Sequence, residues 1–185
     1  GMKTFQAGEW HAAGVRQMAL DEALLEWVRV QEEAVLIVRT YTWTEPTLSL
    51  GVHQPERDYP ALARAYGGEA RAVVKRPTGG RAILHGADVS FAFITNDPGL
   101  LRQSLADSYA CFTGFMKDAL LELGIPVTET ADAEGADYLR SPVCFQTRTP
   151  SDLKDTHGRK LAGSAQCTHR TWRSWQARTS RTSST

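Results

Sequence analysis

Apolar residues recur at helical spacing over residues 16 to 33, where Leu20, Leu24, Trp27 and Val28 predict an amphipathic helix. The run Val35-Leu36-Ile37-Val38, bounded by charge, predicts a buried strand, and another is expected near Thr47 to Gly51. Residues Tyr59 to Tyr66 suit a short helix closed by Gly67 and Gly68, because glycine accepts the left-handed conformation that ends helices. Strands are expected at 71 to 76, 82 to 85 and 88 to 95, the last reading Val89-Ser90-Phe91-Ala92-Phe93-Ile94. The longest helix is predicted from about 101 to 123. Leu101, Leu105, Phe112, Met116, Leu120 and Leu123 recur along one face of it before Gly124 and Pro126 stop it. No internal repeat is visible, and this order of elements predicts an α+β domain with a mixed sheet flanked by helices.

A chain of 185 residues with 42% hydrophobic content suits one soluble domain. No apolar run approaches a membrane span and the start does not read as a signal peptide, so the cytoplasm is the expected compartment. Gly1 ahead of Met2 reads as an expression scar. Cys111, Cys144 and Cys167 are odd in number and lack zinc-type spacing, so neither a disulfide framework nor a metal site is expected. The net charge of zero hides an asymmetry: residues 167 to 185 hold four arginines, no acidic residue and no Leu, Ile, Val, Phe or Met. Residues 1 to 166 therefore carry 17 basic side chains (21 minus those four) against 21 acidic ones, which excludes a uniformly basic nucleic-acid surface.

The segment Lys75-Arg76-Pro77-Thr78-Gly79-Gly80-Arg81-Ala82-Ile83-Leu84-His85 runs from a basic strand end through paired glycines into a second apolar strand. Without Cβ atoms, Gly79 and Gly80 can take positive φ and offer amide N–H groups to an anion or a carbonyl, with Arg76 and Arg81 supplying charge on either side. A tight hairpin with solvated arginines is the other reading of the same residues. Cys144 sits in a proline-bearing stretch, Arg140-Ser141-Pro142-Val143-Cys144-Phe145, outside any clear periodicity. A thiolate there can accept an acyl group from a thioester, because the exchange is nearly balanced and the product stays reactive; the other reading is a small half-buried hydrophobe. Lys160 lies between Arg159 and the small-residue run Ala162-Gly163-Ser164-Ala165, and is read either as solvated or as a charged donor inside a tightly folded loop.

Four ordered blocks within residues 16 to 166 resemble the biotin and lipoate protein ligase family. They are Met18 to Leu25, Trp43 to Gln54, the glycine segment ending in His85, and Gly158 to Gln166. The resemblance implies a mixed, largely antiparallel central sheet related to the core of class II aminoacyl-tRNA synthetases. Thr78-Gly79-Gly80-Arg81-Ala82 and Cys144-Phe145 are similar to the branch of cysteine-dependent octanoyltransferases. That branch implies Cys144 and Lys160 as catalytic residues, with Lys160 on the acyl carbonyl. It implies an acyl and substrate site built from Arg76, Thr78, Gly79, Gly80, Arg81, His85, Gly163, Ser164 and Ala165. Val73, Ile83, Phe91 and Phe93 are candidates for an acyl slot, and His85 for a supporting place in the site.

The resemblance further implies an octanoyl group moving from acyl carrier protein to a lysine of a lipoyl-domain protein such as the glycine-cleavage H protein, with no cofactor. The alternative within the family is a lipoate ligase using ATP and magnesium, against which Arg81 stands where that branch has a third glycine. A third reading is an inactive member that only binds the acyl group or a partner. After Gln166 the chain departs from the family's apolar strand and His-Gly turn. Residues 1 to 166 are accordingly expected to form the catalytic domain and 167 to 185 an atypical tail unable to supply a core strand, as after a reading-frame shift near residue 167. Oligomerisation or strand exchange would then replace the missing strand.

Overall fold

The structure, a computed structural model, describes residues 1–129, 152–168 and 173–179. Two sheets carry the fold. Among the described residues the larger has seven strands in the order β1-β2-β6-β10-β9-β8-β7, with β7 (Thr128–Glu129) at one edge, and the smaller has three in the order β4-β3-β5. In the larger sheet β1 (Lys3–Ala12) runs parallel to β2 (Val35–Trp43), and every other pairing is antiparallel. In the smaller, β3 (Thr47–Leu50) is parallel to β4 (Ala72–Lys75) and antiparallel to β5 (Ile83–His85). The mixed, largely antiparallel architecture is the one expected. None of the helices among the described residues is long and apolar enough to cross a membrane.

Alternation along the strands divides the core into two layers. Val35, Ile37, Arg39, Tyr41 and Trp43 of β2 are buried on the face that also presents Ala92 and Ile94 of β6 (Val89–Thr95). Helix α1 (Gly14–Arg29) packs there. On the opposite face Phe93 meets Phe112, Met116 and Leu120 of α4 (Leu105–Glu122), together with Leu153 of β8 (Leu153–Lys154) and Leu161 of β9 (Lys160–Thr168). The small sheet closes over Leu62 of α2 (Tyr59–Ala65). Gly67 and Gly68, at φ 71 and 72, end that helix as anticipated.

Three expectations are corrected. The buried stripe of α1 is Gln17, Met18, Asp21, Leu25 and Val28, while Trp27 is exposed. The stripe is rotated because Arg39, fully buried in β2, needs a counter-charge: its guanidinium is paired with Asp21 and hydrogen-bonded to Gln17. The expected long helix is broken in two, α3 (Pro98–Leu101) and α4. Ser104 caps α4, its Oγ accepting the Asp107 amide at 3.1 Å, and so leaves Leu105 exposed. Finally, residues 173–179 form β10 (Arg173–Thr179), paired with both β6 and β9, although that stretch lacks the apolar residues of a core strand. Gln176 occupies its buried centre, and a polar side chain is tolerated there because it is hydrogen-bonded on both sides.

Candidate active site

Because β3 lies between β4 and β5, the chain leaving Lys75 must pass over the end of β3. The segment after Arg76 is thus a crossover and not a hairpin. Its backbone pairs with the residues leaving β3: the Arg76 amide donates to the Leu50 carbonyl at 2.9 Å, and the Val52 amide to the Thr78 carbonyl at 3.0 Å. The Arg76 guanidinium turns inward, where Nη1 donates to the Ser49 carbonyl at 2.9 Å and Nη2 to the carbonyls of Gly79 and Arg81, each at 2.7 Å. A planar fork of donors therefore sets the shape of the turn. Gly80, at φ 82, has the positive φ expected of the motif, and Gly79 does not. A Cβ on Gly79 would meet nothing within 4 Å, whereas one on Gly51 would lie 2.1 Å from the Gly80 carbonyl oxygen. Gly51 requires glycine for want of space, and Gly80 for its positive φ.

The turn is tied to the large sheet. Thr78 is fully buried and donates Oγ1–H to Gln176 Oε1 at 2.7 Å, and Gln176 Nε2 donates to Asp21. A polar chain thus runs Thr78, Gln176, Asp21, Arg39 beneath the site. Burial pushes the Asp21 carboxyl above its ordinary value, opposed by Arg39 and by hydrogen bonds from Gln176 and Tyr41. Burial, then the Asp21 charge, push the Tyr41 phenol well above its own.

Lys160 opens β9 and so lies at a strand start, not within the tightly folded loop expected of Gly158 to Gln166. Its ammonium and the Asp152 carboxylate, both buried, pair at 2.8 Å. A Cβ on Gly163 would stand 2.7 Å from Lys160 Cε and 3.1 Å from Nζ, so the lysine stem lies across that glycine. The preceding turn is held by Asp155, which accepts the His157 and Arg159 amides, each at 2.9 Å, and Arg159 Nε at 2.8 Å. Desolvation opposes but does not prevent these bonds from holding Asp155 below the usual carboxylate range.

Arg76, Gln176 and Gly163 meet at a narrow pocket of about 20 Å³, and the Lys160 stem approaches it across Gly163. Met18, Tyr41, Trp43 and Ile83 give it apolar walls, while Arg76, His85, Ser90 and Gln176 supply polar groups. Gly163 completes the lining, and the position of a Cβ on Gly80 is 3.5 Å from Ala165 Cβ. His85 is buried, its ring stacked on Trp43 at 4.1 Å and 15°, with Nδ1 2.8 Å from Asp88 Oδ2.

The structure therefore brings together Arg76, Gly80, His85, Gly163, Ala165 and Lys160. Thr78 stands behind them as a tie, and Arg81 contributes its carbonyl to the turn. Ser164 faces the other side of the sheet, beside Thr113 and Met116. Cys144 lies outside the described residues. Of the expected acyl slot only Ile83 reaches the pocket: Val73 is exposed, and Phe91 and Phe93 point to the α4 layer, as strand alternation requires. Sequence reasoning missed Asp88, Asp152, Trp43 and Gln176. Only Asp88 carried a usable signal, an acid three positions after a histidine.

Residues 14–179 match the family model of the lipoyl protein ligase A/B catalytic domain. Octanoyltransferase LipM of Anoxybacillus flavithermus is 35% identical over 159 residues, covering 80% of this chain and 55% of its own. LipM of Carboxydothermus hydrogenoformans is 34% identical over 157 residues, covering 83% and 56%. The chain thus spans about half the length of the curated relatives it matches. Among solved structures, a T. acidophilum protein described as a candidate lipoate protein ligase, with bound lipoic acid, gives a TM-score of 0.71 at 18% identity, over 97% of this chain and 68% of that one. Lipoate-protein ligase A bound with ATP gives 0.70 at 18%, over 97% and 66%. Both share the fold described above.

Proposed function

This chain belongs to the lipoyl protein ligase A/B catalytic-domain family, and from that premise we propose that it moves an octanoyl group from acyl carrier protein to a lysine of a lipoyl-domain protein by way of Cys144. The observation that carries this reading is the meeting of Arg76 and His85 with Gly163 at one partly apolar pocket, with the Lys160 stem lying across Gly163, in a chain whose sequence relatives are octanoyltransferases.

In the first half-reaction the Cys144 thiolate attacks the thioester carbonyl; a new C–S bond forms and the carrier's thiolate leaves. In the second, the acceptor amine attacks the acyl-enzyme, an amide forms as the C–S bond breaks, and the proton lost by the amine balances the Cys144 sulfur, which leaves as the thiol. Both pass through a tetrahedral oxyanion, and the Lys160 ammonium is the donor assigned to it. A donor placed in a water-poor site contributes about 10²–10³ in rate. Asp152 holds that ammonium in place, and the walls formed by Met18, Tyr41, Trp43 and Ile83 suit a saturated acyl chain. The incoming thioester is already activated, so the reading requires neither ATP nor metal.

The test is intact-protein mass after mixing with octanoyl-acyl carrier protein in the absence of ATP, beside a Cys144→Ala variant. A hydroxylamine-labile octanoyl adduct on the parent and none on the variant is expected. An adduct or product that appears only with free acid, ATP and magnesium would replace this reading with the ligase one. No turnover under either condition would leave a family member that only binds.

A further inference from the structure

We propose that His85, held by Asp88, is the base that takes the proton from the acceptor's lysine amine in the second half-reaction; the inference rests on the octanoyltransferase reading above. His85 and Trp43 line both the narrow pocket of about 20 Å³ and a second, larger and more open cleft of about 520 Å³. The imidazole thus stands in the wall between the place assigned to the acyl group and an open approach from solvent.

The surroundings of the ring suit proton transfer. Asp88 Oδ2 accepts from His85 Nδ1 at 2.8 Å, which directs proton exchange to Nε2. Asp88 is itself anchored: Oδ1 accepts the Gly86 amide at 2.8 Å, and Oδ2 accepts the Ser90 hydroxyl at 3.2 Å. Ser90 in turn accepts Trp43 Nε1–H at 3.0 Å, fixing the indole on which the imidazole stacks. An imidazolium formed there would face a carboxylate on one edge and an aromatic ring on its plane, and both favour the charge. The charged and titratable groups lining the two cavities are Asp88, Glu45 and Glu69 on the cleft side, and Arg76 and Tyr41 on the pocket side.

A base is needed because a lysine amine, with an ordinary pKa of about 10.4, is neutral in only about one molecule in 10³ near pH 7. Lys160 is paired with Asp152 as a cation, which suits a donor. Among the described residues His85 is the one histidine lining the pocket. In the step, the amine nitrogen bonds to the acyl carbon and one of its protons passes to His85 Nε2. The C–S bond then breaks, and the imidazolium returns the proton to the departing thiolate.

The experiment separates the halves. Octanoyl-enzyme formation and single-turnover transfer to an apo lipoyl domain are timed across pH 5 to 9 for the parent, His85→Asn, which keeps a donor toward Asp88, and Asp88→Asn. For His85→Asn the ratio of transfer rate to loading rate should fall by about 10²–10³, and the ionisation seen in the parent's transfer profile should vanish. Asp88→Asn should move that ionisation to lower pH, since removing the carboxylate destabilises the imidazolium. An unchanged ratio, or a transfer profile with its ionisation intact in His85→Asn, would overturn the assignment. So would an unmoved ionisation in Asp88→Asn, which keeps the question decidable if His85→Asn does not fold. Failure of the parent to form any octanoyl-enzyme would instead remove the transferase reading, and this inference with it.

Discussion

Replacing Gly51 by alanine should destabilise the protein far more than the same change at Gly79, although Gly79 belongs to the paired-glycine turn and Gly51 does not. A Cβ on Gly51 would lie 2.1 Å from the Gly80 carbonyl oxygen, against 3.4 Å where ordinary contact begins, so the turn must withdraw by the 1.3 Å difference. The Arg76 Nη2 contacts to the neighbouring Gly79 and Arg81 carbonyls, now 2.7 Å, would stretch past hydrogen-bonding reach if the guanidinium stayed on Ser49. Hydrogen bonds to a charged donor contribute about 1.5–3 kcal/mol each, and overpacking that is partly relieved by movement costs about 1–3 kcal/mol. Partial relaxation between these limits gives an expected loss of about 2–4 kcal/mol, a fall in Tm of about 5–15 °C for a chain of this size. Gly79 has neither a positive φ nor a neighbour within 4 Å of its Cβ position, so its alanine variant should be neutral or gain up to about 1 kcal/mol through the unfolded state. Urea unfolding followed by fluorescence measures both. Equal stabilities for the two variants would refute the crossover geometry, because a turn that did not press on Gly51 would treat the two glycines alike.

Other consequences can be measured on single variants. Gln176→Ala should cost about 2–4 kcal/mol in urea unfolding, since it strands the Thr78 hydroxyl and removes a donor from buried Asp21; a loss under 0.5 kcal/mol would argue that β10 does not sit between β6 and β9. Asp152→Ala should cost about 3–5 kcal/mol, because the Lys160 ammonium is left buried without its ion-pair partner. Co-substitution of Lys160→Met should recover part of that loss. Asp155 is held below its ordinary carboxylate value, so its contribution is present above the unfolded value near 3.8 and fades as pH falls through the lower folded one. An Asp155→Asn variant should therefore show a shallower acid limb in stability against pH than the parent, and parallel limbs would contradict the turn geometry.

Where a residue's environment is set by its near neighbours in sequence, the chain could be read directly. The ends of α2, the first residues of β2, the span of β6 and the presence of a special glycine turn all fall in that class, while β2 continues to Trp43, beyond the expected run ending at Val38. Legibility failed where burial is polar. No hydrophobic period can reveal that Gln17 and Asp21 face the sheet, because the reason lies in Arg39, eighteen positions beyond Asp21. The same blindness hid Gln176, whose strand is held by hydrogen bonds to Thr78 and Asp21 on elements distant in sequence. Strand order was equally hidden, so the placement of β3 between β4 and β5, and with it the crossover nature of the turn, could not be inferred from composition. Of the site residues named from the family motifs, Arg76, His85 and Gly163 line one pocket, Ser164 faces the other side of the sheet, and Cys144 lies outside the described residues. The pocket's apolar walls from α1 and β2 include Met18 and Trp43, which open two of the family blocks but were not anticipated as lining residues.

The position of β10 has a consequence for how the chain comes off the ribosome. β6 cannot complete its hydrogen bonding until β10 arrives, and their closest pairing, Thr95 with Arg173, spans 78 positions (173 minus 95). Until then the strands β1, β2 and β6 and the strands β7 to β9 are separate half-sheets, each with an open edge. Arg76 and His85 are synthesised before either Lys160 or Gln176, so the pocket does not exist during most of synthesis. Nascent chains of this protein should be protected late, all at once, and should depend on chaperones that shield sheet edges during translation.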